Sequence, residues 1–217
     1  MTDWRWDEPV SRYRDAETGR FLSREAALEF VNQSVQASSD VTATYASSVA
    51  GGQLSSGDWE AAMRAEIKGE YIRQYLLGHG GRETMKPSDW GRIGGMVKEQ
   101  YTYLKGFANE VAIGNLTPEQ IAARAAMYTN SAREAFEKAN RLIAKAAGYG
   151  QVRWITDPSI ENCEDCLAFE AMGWTDVSED AYGGAYPGSG DTKCLTNCGC
   201  ETEYSNPDTG EDFWAGE

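Results

Sequence analysis

The stretch WEAAMRAEIKGEYIRQYL, residues 59–76, decides the fold of most of the chain. Its apolar side chains recur every fourth residue, with two more beside them: Trp59, Met63, Ile67, Tyr71 and Tyr75, then Ile72 and Leu76. This spacing lines one face of an α-helix. The glycines at positions 78, 80 and 81 predict the end of that helix.

Two neighbouring segments repeat the helical pattern. Residues 24–46 predict a weaker helix, because they are rich in Ser and Thr, with Ser23 as its N-cap and Gly51-Gly52 after it. A third helix begins at Pro87 and runs to Gly114, with Trp90 on its apolar stripe. The pair Gly94-Gly95 inside this helix predicts a kink or a close helix crossing.

A fourth helix follows the signal Thr117-Pro118-Glu119-Gln120, which has the form of a capping box with proline in the first helical position. Its apolar positions predict one unbroken helix as far as Gly148. The charged residues of the second, third and fourth helices alternate in sign, which predicts a solvated face. Residues 23–150 therefore predict an antiparallel helical bundle.

The character of the chain changes after Gly150. Residues 151–156 have strand composition, and residues 201–204 predict a return strand that completes a short β-hairpin. The fold class is therefore mainly α (α+β): a helical bundle followed by a small cysteine-rich module at 151–204. An N-terminal arm at 1–22 contains a predicted hairpin over 13–21. An acidic tail at 205–217 carries an aromatic anchor, Phe213-Trp214.

Charge is distributed unevenly along the chain. The sequence has 34 acidic and 20 basic residues, a net charge of −14, but residues 1–156 hold 19 of each. The last 61 residues hold 15 acids and one base, Lys193. Such an acidic region repels phosphate backbones, so we expect no sequence-specific nucleic-acid binding. No apolar run approaches the length that crosses a bilayer, and residues 1–7 do not have a secretory-signal pattern, so we expect a reducing, cytoplasmic setting.

All five cysteines lie in two clusters after residue 160: Cys163 and Cys166, then Cys194, Cys198 and Cys200. Paired clusters of this kind in a reducing compartment predict one structural zinc ion with four sulfur ligands. Cys163, Cys166 and Cys198 are the expected ligands, and the fourth is either Cys194 or Cys200. Alternative readings are two disulfides with a spare thiol, or buried free thiols.

Catalytic roles are less favoured by the sequence. A redox Cys-x-x-Cys pair needs a helix N-terminus and few acids nearby, whereas Glu161, Glu164 and Asp165 surround this pair. Four or five thiols favour a closed metal site over a catalytic one with an open position. The single histidine, His79, has no acid or nucleophile partner in its glycine-rich surroundings. The sequence therefore predicts a protein that is not an enzyme.

The cysteine-rich part resembles a known family. A strand at 152–156, then Cys163-x-x-Cys166, Tyr186-Pro187-Gly188 and the run 194–200 (Cys-Leu-Thr-Asn-Cys-Gly-Cys) together resemble the minor head or head-morphogenesis proteins of tailed bacteriophages, the Mu F-like family. The resemblance is best over residues 150–204. The family commonly has a histidine shortly before the Asn-Cys-x-Cys; here Cys194 lies nearby, and a cysteine could take its place.

The resemblance implies a virion component present in few copies. Its expected partners are portal or capsid proteins and other copies of itself, first in the host cytoplasm during assembly and then in the phage head. Two alternatives stay open. One is an ADP-ribosyltransferase-like effector that uses Glu201 or Glu203, since some relatives belong to a superfamily with that activity. The other is a cytoplasmic zinc-ribbon adaptor.

Overall fold

The computed structural model describes residues 4–7, 12–15, 24–82, 85–178, 180–210 and 213, with side chains from residue 28 onward. Strands β1 (Trp4–Asp7) and β2 (Arg12–Asp15) form an antiparallel pair in which Trp4 lies opposite Asp15. The turn of the hairpin predicted over 13–21, and the predicted cap Ser23, lie outside the described residues.

Five helices form the body: α1 (Arg24–Ala50), α2 (Ser56–His79), α3 (Pro87–Ile113), α4 (Pro118–Asn130) and α5 (Arg133–Ala146). Helix α2 ends at Gly80 and α3 ends at Gly114, and both glycines are left-handed, as the sequence predicts. The predicted capping box is present, because Thr117 Oγ1 accepts from the amide of Gln120 while the Gln120 side chain accepts from the amide of Thr117.

Helices α1 and α2 run antiparallel to each other, and so do α2 and α3. Helix α1 contacts α2 through the pairs 31–74 and 38–66, whose numbers rise on one helix as they fall on the other. Contacts 75–89 and 64–101 relate α2 to α3 in the same way. The core between them includes the predicted stripe of α2, every member of which is fully buried: Trp59, Met63, Ile67, Tyr71 and Tyr75. The predicted antiparallel bundle is confirmed.

The predicted single fourth helix is wrong, because the chain forms α4 and α5 with a break at Ser131-Ala132. The hydroxyl of Ser131 donates back to the carbonyl of Tyr128 and contacts the Tyr71 hydroxyl at 2.9 Å. Around the break, the amides of residues 132, 134 and 135 bond to carbonyls three residues earlier instead of four. This tightening redirects the chain, so that α4 packs on α1 and α5 packs on α2.

The close helix crossing occurs at a different glycine from the predicted pair. A Cβ atom added at Gly94 or Gly95 would meet nothing within 4 Å. A Cβ atom at Gly78 would lie only 2.2 Å from the carbonyl oxygen of Phe136 on α5. Trp90, predicted on the buried stripe of α3, is 36% exposed.

The cysteine-rich module follows as a three-stranded antiparallel sheet in the order β4 (Thr175–Asp176), β3 (Gln151–Ile155) and β5 (Glu201–Ser205), with helix α6 (Glu164–Ala171) against it. Strand β3 pairs with β5, as the sequence predicts, and with the unpredicted β4. Trp154 is fully buried, with its ring centroid 5.0 Å from that of Phe169.

Of the two residues in the predicted aromatic anchor of the tail, the structure describes Phe213. Its ring lies 5.2 Å from that of Tyr149, and its amide donates to the carbonyl of Tyr204. Trp214, the other half of the predicted anchor, lies outside the described residues. Within the described part of the chain, no helix has both the length and the apolar composition that crossing a membrane requires.

Candidate metal centre

The first cysteine pair lies at the start of α6. Cys163 is the N-cap residue in an extended conformation, and its side chain makes no capping hydrogen bond. Cys166 lies one turn further on and is 1% exposed, facing the sheet core. No pattern in the sequence predicts this helix, because its eight residues, with Glu164 and Asp165 in the first turn, have no clear apolar period.

The second cluster returns to the first through a tight turn. Leu195 has a positive φ of 54°, and the amide of Asn197 donates to the carbonyl of Cys194, which reverses the chain. The amide of Lys193 donates to the carboxylate of Asp165 at 2.8 Å, so the turn is tied directly to α6. Arg133 of α5 donates to the carbonyl of Cys198, which ties the same segment to the helical body.

The five sulfurs converge on Cys166. Its Sγ atom lies 3.7 Å from Cys194 Sγ and 3.7 Å from Cys198 Sγ. The sulfurs form two triads that share Cys166, one with Cys163 and Cys194 and one with Cys198 and Cys200, each within 4.8 Å. A disulfide has an S–S distance of about 2.05 Å, and all five cysteines are free. A tetrahedral ion with bonds of about 2.3 Å separates its sulfurs by about 3.8 Å, so this cluster could hold a metal ion.

Close packing raises the pKa of some of the thiols and lowers the pKa of others. A hydrogen bond between Cys198 and Cys200 raises the pKa of Cys198 and lowers the pKa of Cys200 to about 6. Burial, together with hydrogen bonds to Cys163 and Cys200, raises the pKa of Cys166. For Cys163, burial acts to raise the pKa but hydrogen bonds from Cys166 and Cys194 outweigh it, so the pKa falls. Several thiolates this close repel one another, and a cation among them would let them ionise together.

The donor set consists of sulfur alone, since no described imidazole or carboxylate joins either triad. Polar groups lie around it: Thr192 Oγ1 is 3.1 Å from Cys194 Sγ, and Asn162 Oδ1 is 3.6 Å from Cys200 Sγ. The pair at 163 and 166 does occupy a helix N-terminus, one of the two features that a redox pair needs. The acids of that first turn and the two further sulfurs beside Cys166 distinguish it from an isolated dithiol.

His79 lies apart from the sulfurs and does have an acid partner, so the sequence prediction about it is wrong. It is the last residue of α2 and 5% exposed, and its Nε2 atom is 3.4 Å from Asp89 Oδ2. Asp89 also accepts from the Tyr75 hydroxyl and from the amide of Lys86. Burial lowers the pKa of His79, although Asp89 opposes this effect. The group joins the end of α2 to the start of α3.

Glu201 and Glu203, the residues considered for an enzyme, lie on β5. The Glu203 carboxylate accepts a hydrogen bond from Arg153 Nε at 2.6 Å. It also forms an ion pair with Arg153 Nη2 at 2.5 Å. Thr202 and Tyr204 alternate with these two glutamates along the strand, and their side chains are buried against the body. The two carboxylates therefore share the other side of the strand.

Helix α5 carries buried charges where the sequence predicts a solvated face. Arg133, Glu137, Asn140 and Arg141 are all at most 8% exposed. Three of them, Arg133, Glu137 and Arg141, form hydrogen bonds with the module. Burial raises the pKa of Glu137 to about 6, while its Oε2 atom accepts from the Thr202 hydroxyl. The four-residue spacing of positions 133, 137 and 141 is a polar stripe of helical period, and that was the signal available in the sequence.

The chain matches no family model, no curated protein and no solved structure. The fold and the site define a helical bundle joined to a small sheet module with a cluster of five thiols, three of them buried.

Proposed function

We propose that the chain is a structural, non-enzymatic protein whose module is closed by one Zn²⁺, and that it serves as an assembly component of a phage head. The observation that carries the metal part is the pair of 3.7 Å sulfur separations around Cys166. The virion part rests on the resemblance of residues 150–204 to head-morphogenesis proteins. Portal or capsid proteins and further copies of the chain are the proposed partners.

Zinc is the ion that best suits this donor set. Thiolate ligands are soft, and tetrahedral sites made of sulfur alone select zinc or iron–sulfur clusters. A site with four sulfurs leaves no open coordination position for a substrate, which is why such sites are structural. Cys166 belongs to both triads, so it is a ligand in either arrangement. One of Cys194 and Cys200 completes the site with Cys163, Cys166 and Cys198, and the other is spare.

The ion would act as a cross-link in the module. It would join α6 to the segment 194–200, which leads directly into β5, and so close a loop of about thirty residues. This loop holds few large buried apolar side chains. Ligand binding to the folded form would therefore supply folding free energy that the loop cannot obtain from its own core.

The metal proposal is tested by replacing each of the five cysteines singly with serine and measuring zinc per chain by elemental analysis. We expect about one zinc in the wild type. Cys166→Ser and Cys198→Ser lose it, and one of Cys194→Ser and Cys200→Ser retains it. The retaining variant is the matched control for the serine substitution itself. Absence of metal from the wild type, with fewer than five free thiols without reductant, contradicts the proposal.

The virion proposal is tested on purified particles of the phage that encodes the chain. Quantitative mass spectrometry should find the chain in the particles at a few copies each, well below the major capsid protein. Particles made with the Cys166→Ser variant should lack the chain or assemble poorly, while the retaining cysteine variant should package normally. A chain that is abundant in the lysate and absent from the particles would exclude this function and leave the metal site untouched.

A further inference from the structure

We propose that a cleft lined by α3, α5, Ser178 and residues 180–186 is a binding site for a small oxyanion, a phosphate or carboxylate compound. The cleft has a volume of about 660 Å³. Its lining is mainly basic and aromatic: Arg92, Lys138, Arg141, Lys145, Tyr75 and Tyr186. None of the five cysteines lines it, so this site is independent of the proposed metal.

Arg141 is the residue that indicates a missing ligand. It is only 3% exposed, and its one hydrogen bond to the neighbouring segment runs from Nη1 to the carbonyl of Ser178 at 3.2 Å. Its Nε and Nη2 atoms are buried without a hydrogen-bond partner among the described residues. Arginine stays charged in proteins, and a buried charge is costly unless it is paired. Glu137, one turn earlier, attracts Arg141, but its Oε2 atom accepts from the Thr202 hydroxyl and no ion pair joins the two side chains within the described structure.

The other cations of the cleft differ in whether they form ion pairs within the protein. Arg92 pairs with Asp89 at 3.1 Å, and Lys138 pairs with Glu134. Lys145 is exposed, lies one helical turn after Arg141, and forms no ion pair in the described part of the chain. Asp180 is the carboxylate in the lining, so the lining retains an excess of positive charge.

The aromatic ring of Tyr186 contacts two cations of the cleft, Arg141 and Lys138. The Arg141 guanidinium lies 4.0 Å above the ring of Tyr186, and Lys138 Nζ lies 5.2 Å from the same ring. Stacking restrains a planar guanidinium, which makes it a better bidentate donor to an oxyanion. Arg141 and Lys145, four residues apart on one helix face, can then contact one ligand together.

The size and surroundings of the cleft favour a small ligand over a nucleic acid. Pockets for small molecules span about 300–1,000 Å³, and this cleft lies within that range. One wall belongs to the C-terminal region, which holds 15 acids and one base and repels a phosphate polymer.

The test uses the full-length, metal-loaded protein with pyrophosphate and citrate as separate probes in isothermal titration calorimetry. Potassium chloride at matched ionic strength controls for screening. We expect saturable binding of at least one probe, and the stronger probe identifies phosphate or carboxylate as the ligand class. Lys145→Glu should weaken that binding at least roughly tenfold, because it reverses a charge at the site. Lys105→Glu, an exposed lysine of α3 outside the cleft lining, should bind as the wild type does.

Arg141→Met is the second variant, and it removes the buried charge while keeping a similar volume. It should abolish probe binding while circular dichroism shows an unchanged helix content. If this variant does not fold, Lys145→Glu still decides the matter, since its side chain is at the surface. The proposal is overturned if neither probe binds beyond the chloride control, or if Lys145→Glu binds the probe as tightly as Lys105→Glu does.

Discussion

The helical body and the cysteine module bury different kinds of side chain. The core of the body is apolar and aromatic, with Trp59, Leu104 and Phe107 at most 1% exposed. The core of the module combines Trp154 and Tyr204 with the thiols of Cys166, Cys198 and Cys200. The module has few large apolar residues, and thiols occupy part of its core. A metal ion bound by these thiols can then contribute folding free energy that apolar burial does not supply.

Helix α5 joins the two regions and has a different surface toward each. Toward the bundle it presents small apolar side chains, and Ala135 and Ala139 are fully buried there. Toward the module it presents Arg133, Glu137 and Arg141. The contact between body and module therefore combines these buried polar groups with the apolar contact of Ala144, so the free energy that holds the two together depends in part on charges and hydrogen bonds.

The largest expected effect separates the two regions directly. Removal of the proposed zinc ion with a chelator should speed hydrogen exchange of the amides of β3, β5 and α6 by roughly 100-fold or more, because structural zinc contributes on the order of 10 kcal/mol to folding. Amides in the middle of α2 and α3 should keep their protection, since their core is apolar. Hydrogen–deuterium exchange with mass spectrometry makes the measurement. Equal loss of protection in both regions would mean that they fold as one unit.

Gly78→Ala tests the close contact on the apolar side of α5. The added methyl group would meet the Phe136 carbonyl at 2.2 Å, so α2 and α5 must separate, and we expect a loss of about 3 kcal/mol of unfolding free energy. Gly94→Ala is the matched control in α3, where nothing lies within 4 Å. It should gain about 0.5–1 kcal/mol from helix propensity. Denaturant unfolding measures both, and a tolerated Gly78→Ala would show that the crossing is loose.

Glu137→Gln tests the polar side of α5. The pKa of Glu137 is raised to about 6 from 4.5, so the stability that its neutral form provides is full below pH 4.5 and is lost as the pH rises through 6. The variant stays neutral and still offers an acceptor to Thr202. At pH 7.5 its unfolding free energy should exceed that of the wild type by up to about 2 kcal/mol, and the difference should vanish toward pH 4.5.

The control for this substitution is Glu29→Gln, which makes the same exchange at an exposed carboxylate of α1. Comparing each variant with the wild type at the same pH cancels any loss of the proposed metal that acid would cause in both. A Glu137→Gln protein that is less stable at pH 7.5 would mean that the ionised carboxylate is needed to offset Arg133 and Arg141.

Thr117→Ala has the smallest expected effect and concerns the body alone. It removes the hydroxyl that accepts from the amide of Gln120, and loss of such a cap costs about 1 kcal/mol. Thr102→Ala, an exposed site inside α3, is the control and should gain a few tenths of a kcal/mol because alanine has the higher helix propensity. Exchange rates in β3 and β5 should not change in either variant, since the cap does not contact the module.

Local signals in the sequence predicted the elements that depend on local interactions. The ends of α2 and α3 followed from glycines that take a left-handed conformation, and the start of α4 followed from its capping box. The pairing of β3 with β5 followed from their composition, and the grouping of the five cysteines followed from their spacing. The unpredicted β4 and α6 are short, and short elements give little periodic signal.

What the sequence by itself determined is helices α1 to α3, the start of α4, the pairing of β3 with β5 and the presence of a sulfur cluster, because periodicity, caps and clustered thiols are local signals. Only the tertiary structure decided which glycine lies at a helix crossing, that the fourth helix breaks where Ser131 meets Tyr71, and that His79 meets Asp89. It also decided that the charges of α5 are buried, and that Cys166 lies at the centre of the sulfurs. Each of these depends on a partner from a distant part of the chain or across a helix junction, and no local pattern records that partner.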